Sequence, residues 1–358
     1  MKRDWGIINW LLTGCLLIFL MVVIGGITRL THSGLSMVEW DLVIGTIPPL
    51  SESQWIESFR KYQQTPEFQK INYHFGLDEY KSIFWWEYIH RLIGRLIGLV
   101  FLIPFLYFLV MRRISRKLLP RLLMIFALGG FQGFLGWYMV KSGLVDVPYV
   151  SHYRLAIHLV AAFTTFAFTL WVALDLIYAN RYGGNSAHGW FRKAILSFLV
   201  ILGLQIVYGA FVAGLKAGFV YNTWPKMGDQ WIADGVTAME PFYLNFLEGL
   251  AGVQFLHRTL AYLLVVIVAV VWYKSRKTNL SDDQRFGINL LTALVLLQVV
   301  LGIFTLISAV PVWLGVTHQA VALLLLGANI FLIHRFRKGP EVVKIDRSNV
   351  SQEISAGT

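Results

Sequence analysis

The sequence predicts an all-α polytopic membrane protein whose eight spans form two pseudo-twofold-related four-helix bundles. Three observations carry that reading. Of 358 residues, 56% are hydrophobic and 14% charged, with a mean hydropathy of +0.60. A polar skin around an apolar core cannot be drawn from such a composition. Apolar runs of roughly 20 residues, each long enough for a hydrocarbon core about 30 Å thick, recur eight times. The second half of the chain also lays over the first.

The spans are expected at about 8–28, 87–111, 121–140, 152–178, 192–213, 249–273, 286–307 and 314–335. Met1-Lys2-Arg3 before the first run resembles a signal peptide, but the apolar stretch is too long and lacks a small-residue cleavage site, so a retained signal anchor is expected. Cys15 is the single cysteine, which excludes an intrachain disulfide framework, a CxxC redox pair and a thiolate metal cage. Metal chemistry here must use histidine or oxygen.

Spans one and two are separated by nearly sixty residues, a length that usually signals function. Ser51-Glu52-Ser53-Gln54 has capping-box spacing, with Trp55, Phe59 and Tyr62 following at helical intervals. Thr65-Pro66 reads as an N-cap and first helical residue, opening a second short helix through Phe68 and Ile71. These segments are either amphipathic lids at the outer interface or an aromatic belt that anchors the protein, and the sequence leaves both open. A second long outer loop, about 214–248, carries Trp224-Pro225 and Trp231.

The net charge of +11 is explained by topology rather than by nucleic acid. Segments on the side of the termini hold 19 of the 31 Lys and Arg residues. By the positive-inside rule that side is cytoplasmic, with both termini on it. The expected organisation is an N-terminal half at 1–180, a C-terminal half at 181–338 and a disordered cytoplasmic tail at 339–358.

The duplication is visible residue by residue. Gly209, Gly218 and Trp224 fall on Gly25, Gly34 and Trp40, and Gln254-Phe255-Leu256-His257-Arg258 falls on Glu87-Tyr88-Ile89-His90-Arg91. Gln298, Leu301 and Gly302 fall on Gln132, Leu135 and Gly136, and His318 falls opposite His158. With an even number of spans per half, the repeats share one membrane orientation, and the pseudo-twofold runs along the bilayer normal.

An ionisable residue inside a span is costly and is by default a functional-site hypothesis. Of nine histidines, His32, His74, His152, His188 and His334 fall in loops or at helix ends, where a solvated or interfacial role is expected. His90, His158, His257 and His318 lie in spans two, four, six and eight, each one to two turns from the outer end and so at similar depth. Four positions on stand Gly94, Ala162, Ala261 and Ala322, with Gly98 extending the first stripe. Such a stripe leaves flat space beside an imidazole; simple GxxxG helix packing is the competing account. Two separated histidine pairs do not make a tetrahedral zinc site. They suit bis-histidine haem, which needs two axial ligands, an apolar slot and cations for its propionates. Arg91, Arg95, Arg154, Lys216 and Arg258 are available as cations, unless they only anchor loops.

The halves differ in one acid. Glu87, three residues before His90 and on its helical face, is replaced in the second half by Gln254. A carboxyl beside a porphyrin edge could position water, take a proton or stabilise a developing cation; Glu87 could equally be a helix N-terminal carboxylate serving the dipole. The asymmetry suggests a reacting haem in the first half and an electron-transfer haem in the second.

The run Gly25-Gly26-Ile27-Thr28-Arg29-Leu30-Thr31-His32-Ser33-Gly34-Leu35-Ser36-Met37, together with Glu87-Tyr88-Ile89-His90-Arg91, Tyr153-Arg154-Leu155-Ala156-Ile157-His158, Phe255-Leu256-His257-Arg258 and His318-Gln319, resembles the haem A synthase family, in its mitochondrial and alphaproteobacterial subgroup without the outer-loop cysteine pair. The likeness runs from the first span to about residue 335. It implies oxidation of the C8 methyl of haem O to the formyl of haem A, with haem O as substrate, held by His90 and His158, and haem b as cofactor, held by His257 and His318. It implies that Glu87 is the catalytic carboxylate and adds Arg29 to the cations for propionates. The implied partners are haem O synthase (protohaem farnesyltransferase), oxidase assembly factors and the lipid bilayer, with a homo-oligomer left open and no nucleic acid. The implied location is the inner membrane, with the haem sites toward the outer face. Since two histidines fill both axial positions of an iron, either one swings away or oxygen enters from water after electrons leave the macrocycle. A dihaem, quinol-handling b-type electron-transfer subunit explains the histidines equally well, but not the Glu87 and Gln254 asymmetry or the outer lids. A transporter would show broken spans, and Pro104 is the one visible interruption.

Overall fold

The computed structural model describes residues 3–38, 46–143, 148–178 and 188–337. Lys2, Trp40, Arg181 and the tail at 339–358 lie outside the described residues. Within them the chain is helical, without strands: α1 (Trp5–Leu30), α2 (Glu52–Tyr62), α3 (Pro66–Lys70), α4 (Leu77–Val110), α5 (Leu119–Gly143), α6 (His152–Tyr178), α7 (Gly189–Gly214), α8 (Leu250–Ser275), α9 (Asp282–Ile307) and α10 (Val312–Arg335), with three short 3-10 turns between α7 and α8. All but α2 and α3 are long and apolar enough to cross a membrane.

Local chemistry sets the helix starts. The Asp4 carboxylate caps α1 by accepting from the Gly6 and Ile7 amides, and Arg113 after α4 donates to the same group. Ser51 with Gln54, and Ser281 with Gln284, form reciprocal capping boxes at α2 and α9. Thr65 caps α3 with Pro66 as its first residue.

α4 begins about ten residues before the span expected at 87. Hydropathy detects only the lipid-embedded part; the outer extension carries Asp78, Glu79 and Lys81 on one side and buries Tyr80, Ile83 and Phe84 on the other. Trp55, Phe59, Tyr62 and Phe68 pack on that buried face. Tyr62 stacks on Tyr80 at 5.1 Å, and Trp55 meets Phe84 edge-on at 4.9 Å. α2 and α3 therefore form a lid with its own small core, which decides between lid and lipid belt for these aromatics.

α1 packs on α4, α6 and α10, while α6 also touches α5 and α7. The largest apolar core draws on both sequence halves, with Phe163, Phe166 and Leu174 meeting Phe198, Ile288 and Leu323. The repeat is preserved in detail at the ends of α1 and α7. The shift that lays Gly209 on Gly25 lays Lys216 on His32, and these two residues turn left-handed with φ of 57° and 54°. Matching amide bonds close the turns, Thr31 to Ile27 and Leu215 to Phe211, both at 2.9 Å.

Three helix-end histidines expected to be solvated or interfacial are instead buried and bonded. His152 Nε2 lies 3.0 Å from the Leu247 carbonyl and His188 Nε2 3.3 Å from that of Asn279. His334 meets Asp175 at 3.0 Å, a carboxylate also bound by Arg121 at 2.7 Å and Arg337 at 2.9 Å. Neighbouring chain folds over each helix end, which helix position alone does not reveal.

Candidate haem site

A cavity of about 1940 Å³ opens among the spans, and His90, His158, His257, His318 and Glu87 all line it. The histidine that influences His90 electrostatically is His158, and the one that influences His257 is His318, each from the same half of the sequence.

Glycine sets the close approach of three of these rings. A Cβ on Gly25 of α1 would sit 2.9 Å from His90 Cε1, one on Gly209 of α7 would sit 3.2 Å from His257 Cε1, and one on Gly302 of α9 would sit 3.0 Å from His318 Cε1. Each ring thus lays its Nδ1–Cε1 edge on bare backbone. In all four histidines Nδ1 is buried without a hydrogen bond, leaving Nε2 as the nitrogen available to the cavity. The Gln205 amide lies 3.3 Å from His257 Nε2, and the Gln298 amide 3.3 Å from His318 Nε2. An amide N–H donating there makes Nε2 the ring acceptor, the atom whose lone pair a metal takes. The Gln298 amide also donates to the His318 carbonyl at 3.0 Å, and its counterpart Gln132 makes the same bond to the His158 carbonyl at 3.1 Å.

Glu87 is 3% exposed and fully engaged. Oε2 accepts from the Ser36 hydroxyl at 2.7 Å and the Met37 amide at 2.8 Å; Oε1 accepts from Arg91 at 2.5 Å. Arg91 also donates to the Met37 carbonyl at 2.9 Å. The second half repeats the frame with different chemistry. Tyr221, which falls on Met37, accepts at its carbonyl from Arg258 at 2.8 Å and from the Gln254 amide at 3.2 Å. The expected asymmetry is therefore a buried ion pair in one half and a neutral amide beside an arginine in the other.

Arg29, Arg91, Arg95, Lys216 and Arg258 line the cavity. Arg154 does not: its guanidinium lies over the Tyr138 ring, 3.9 Å from the centroid, and donates to the Tyr138 carbonyl at 2.8 Å. Glu67 of the lid is a lining residue that sequence reasoning missed. In sequence it reads as an acid in the first turn of a short helix, and its burial comes from the lid folding onto α4.

The residues present fit an iron porphyrin. Four half-buried imidazoles with buried, partnerless Nδ1 atoms, glycine cradles behind three of them and a ring of cations supply axial ligands, a slot and propionate partners. Fold and site together define a polytopic helical membrane protein with four histidines lining one cavity. The chain belongs to the COX15-CtaA family, described as cytochrome oxidase assembly protein, whose family model matches residues 8–330. It is 50% identical to "Heme A synthase" of Flavobacterium psychrophilum over 342 residues, covering 94% of this chain and 100% of that protein. It is 48% identical to the Nitrosospira multiformis protein of the same name, covering 92% and 93%, and 46% identical to that of Parvibaculum lavamentivorans, covering 92% and 94%.

Proposed function

We propose that this chain is a haem A synthase, oxidising the C8 methyl of haem O to a formyl group in the first-half site, with electrons leaving through haem b in the second. The observation that carries the reading is the buried Glu87–Arg91 pair beside His90, set against Gln254 and Arg258 in the repeated frame beside His257. A passive dihaem cytochrome has no use for that difference.

In this reading His90 and His158 hold the substrate haem, and His257 and His318 hold haem b. The bound iron porphyrins supply the redox chemistry. Glu87, with both oxygens held by donors and paired with Arg91, stands where it can stabilise a cation developing on the substrate edge. Arg91 pins that carboxylate and, through the Met37 carbonyl, ties the post-α1 segment over the site. Ser36 and the Met37 amide hold the same segment from the other oxygen. Arg29, Lys216 and Arg258 face the cavity as propionate partners, whereas Arg154 serves the α5–α6 contact. The cation distribution supports an inner-membrane protein with cytoplasmic termini and outward haem sites. Haem O synthase and oxidase assembly factors follow as partners from the family.

The test is to express the chain with a haem O-producing enzyme, extract the pigments and look by mass for a formyl haem. Wild type is expected to yield it. Glu87→Gln is expected to keep both haems and yield none; formation of haem A by that variant at the wild-type rate overturns the assignment.

A further inference from the structure

Glu67 is a second buried acid on the same cavity wall. It is 5% exposed, lines the cavity from α3 and has no basic side chain bonded to it among the described residues. Its side-chain bond is from the Tyr62 hydroxyl to Oε2 at 3.3 Å, and Tyr62 is itself held by Asn72 Nδ2 at 2.8 Å. Among the described residues its other oxygen, Oε1, has no hydrogen bond and keeps some accessible surface, and the residue itself lines the cavity. The ionisable groups that face it are Tyr62 of α2, Glu87 of α4 and Lys216 after α7. Burial, then the charge of Glu87, push the Glu67 carboxyl up to about 8, against the Tyr62 bond and Lys216, which pull it down.

The two acids are thus differently equipped. Glu87 accepts from three donors, one of them a guanidinium, which engage both of its oxygens. Glu67, in the cavity wall, has one long side-chain bond and a second oxygen without a donor among the described residues. Environments that drive two carboxyls apart divide a site between a charge and an acid–base group. The second outer loop contributes no acid to the cavity lining among the described residues, so this equipment belongs to the first half alone.

We propose that Glu67 is the proton-exchanging carboxyl of the first-half site, working beside Glu87 as the fixed charge. The proposal rests on the haem A synthase reading. Taking a methyl to a formyl removes hydrogen as protons and electrons. The step assigned to Glu67 is the proton part: an O–H bond forms on Oε1, the donor's bond to hydrogen breaks, and its electron pair stays on the donor. The electrons go to the acceptor that the oxidation already requires. Tyr62 and Asn72 are positioning residues that keep the carboxyl turned to the cavity.

The experiment compares haem-loaded wild type, Glu67→Gln and Glu67→Asp in full-length protein. It records haem content, haem O conversion from pH 6 to 9.5 and the carboxylic C=O band in pH-difference infrared spectra. Glu67→Gln keeps the Tyr62 bond but cannot take a proton. It is expected to retain haem, lose at least about tenfold in rate, lose the rate limb near pH 8 and lack a C=O band that titrates there in wild type. Glu67→Asp is expected to recover part of the rate. An unchanged rate and limb in Glu67→Gln, or a band that persists in it, overturns the proposal. So does loss of haem in both variants, which marks a brace. If wild type makes no formyl haem the function reading fails, while the infrared band still decides whether Glu67 exchanges protons.

Discussion

Adding one methyl group at Gly25 tests whether the histidines are held by bare backbone. In Gly25→Ala the new Cβ meets His90 Cε1 at 2.9 Å, about 0.5 Å inside the 3.4 Å where ordinary contact begins. The same subtraction gives about 0.4 Å for Gly302→Ala against His318 and about 0.2 Å for Gly209→Ala against His257. The helices behind the imidazoles are packed while the rings border the cavity, so the ring must swing rather than the backbone yield. Overpacking of this kind costs about 1–3 kcal/mol, which at tenfold per 1.4 kcal/mol lowers haem affinity about 5- to 150-fold. Gly25→Ala and Gly302→Ala should lie at the upper end and Gly209→Ala at the lower. Gly203→Ala on α7, where a Cβ meets nothing within 4 Å, serves as the control. Haem titration and the low-spin to high-spin change in the absorbance spectrum read the effect site by site: Gly25→Ala should disturb the first-half haem, and the other two the second. If Gly25→Ala and Gly203→Ala bind haem with the same affinity and spectrum, the imidazoles are not seated as described.

Glu87→Gln recreates the Gln254 and Arg258 arrangement already present in the second half, so it should cost no more than about 2 kcal/mol of stability by detergent thermal unfolding while lowering haem A formation about 100-fold. Asp175→Asn leaves His334, Arg121 and Arg337 without their shared carboxylate; with Arg121 46% exposed at its side chain, the expected loss is about 2–3 kcal/mol in the same assay. The Glu67 carboxyl, raised to about 8 in the fold against a lower value in an unfolded lid, is protonated in both states at low pH. Lid stability should therefore be full below about pH 4 and fall as pH rises to 8. Hydrogen exchange over residues 52–75, corrected for intrinsic rates, should show more opening at pH 8 than at pH 6, and Glu67→Gln should remove the difference.

The eight spans and the lid caps were legible because they are local. Ser51 with Gln54 and Thr65 with Pro66 satisfy their own first-turn amides, so spacing alone reveals them. The four histidines were legible because depth follows from residue count. Direction around the helix axis is not fixed so simply: Arg154 has the right depth, yet stacks on Tyr138 away from the cavity. The early start of α4 escaped because Tyr80, Ile83 and Phe84 serve a lid core rather than lipid. Glu67 escaped for a related reason, since an acid after Thr65-Pro66 satisfies a helix start and gives no sign that a second helix will seal it. His152, His188 and His334 were hidden in the same way by chain arriving from more than 90 residues away.

The core that runs from Phe163 and Phe166 into Phe198, Ile288 and Leu323 also constrains how the molecule works as a machine. A seam packed like an interior does not hinge, so the gap between the paired-imidazole stations is built into the scaffold rather than set by encounter. Severing the polypeptide midway would leave two fragments, each with a raw apolar flank.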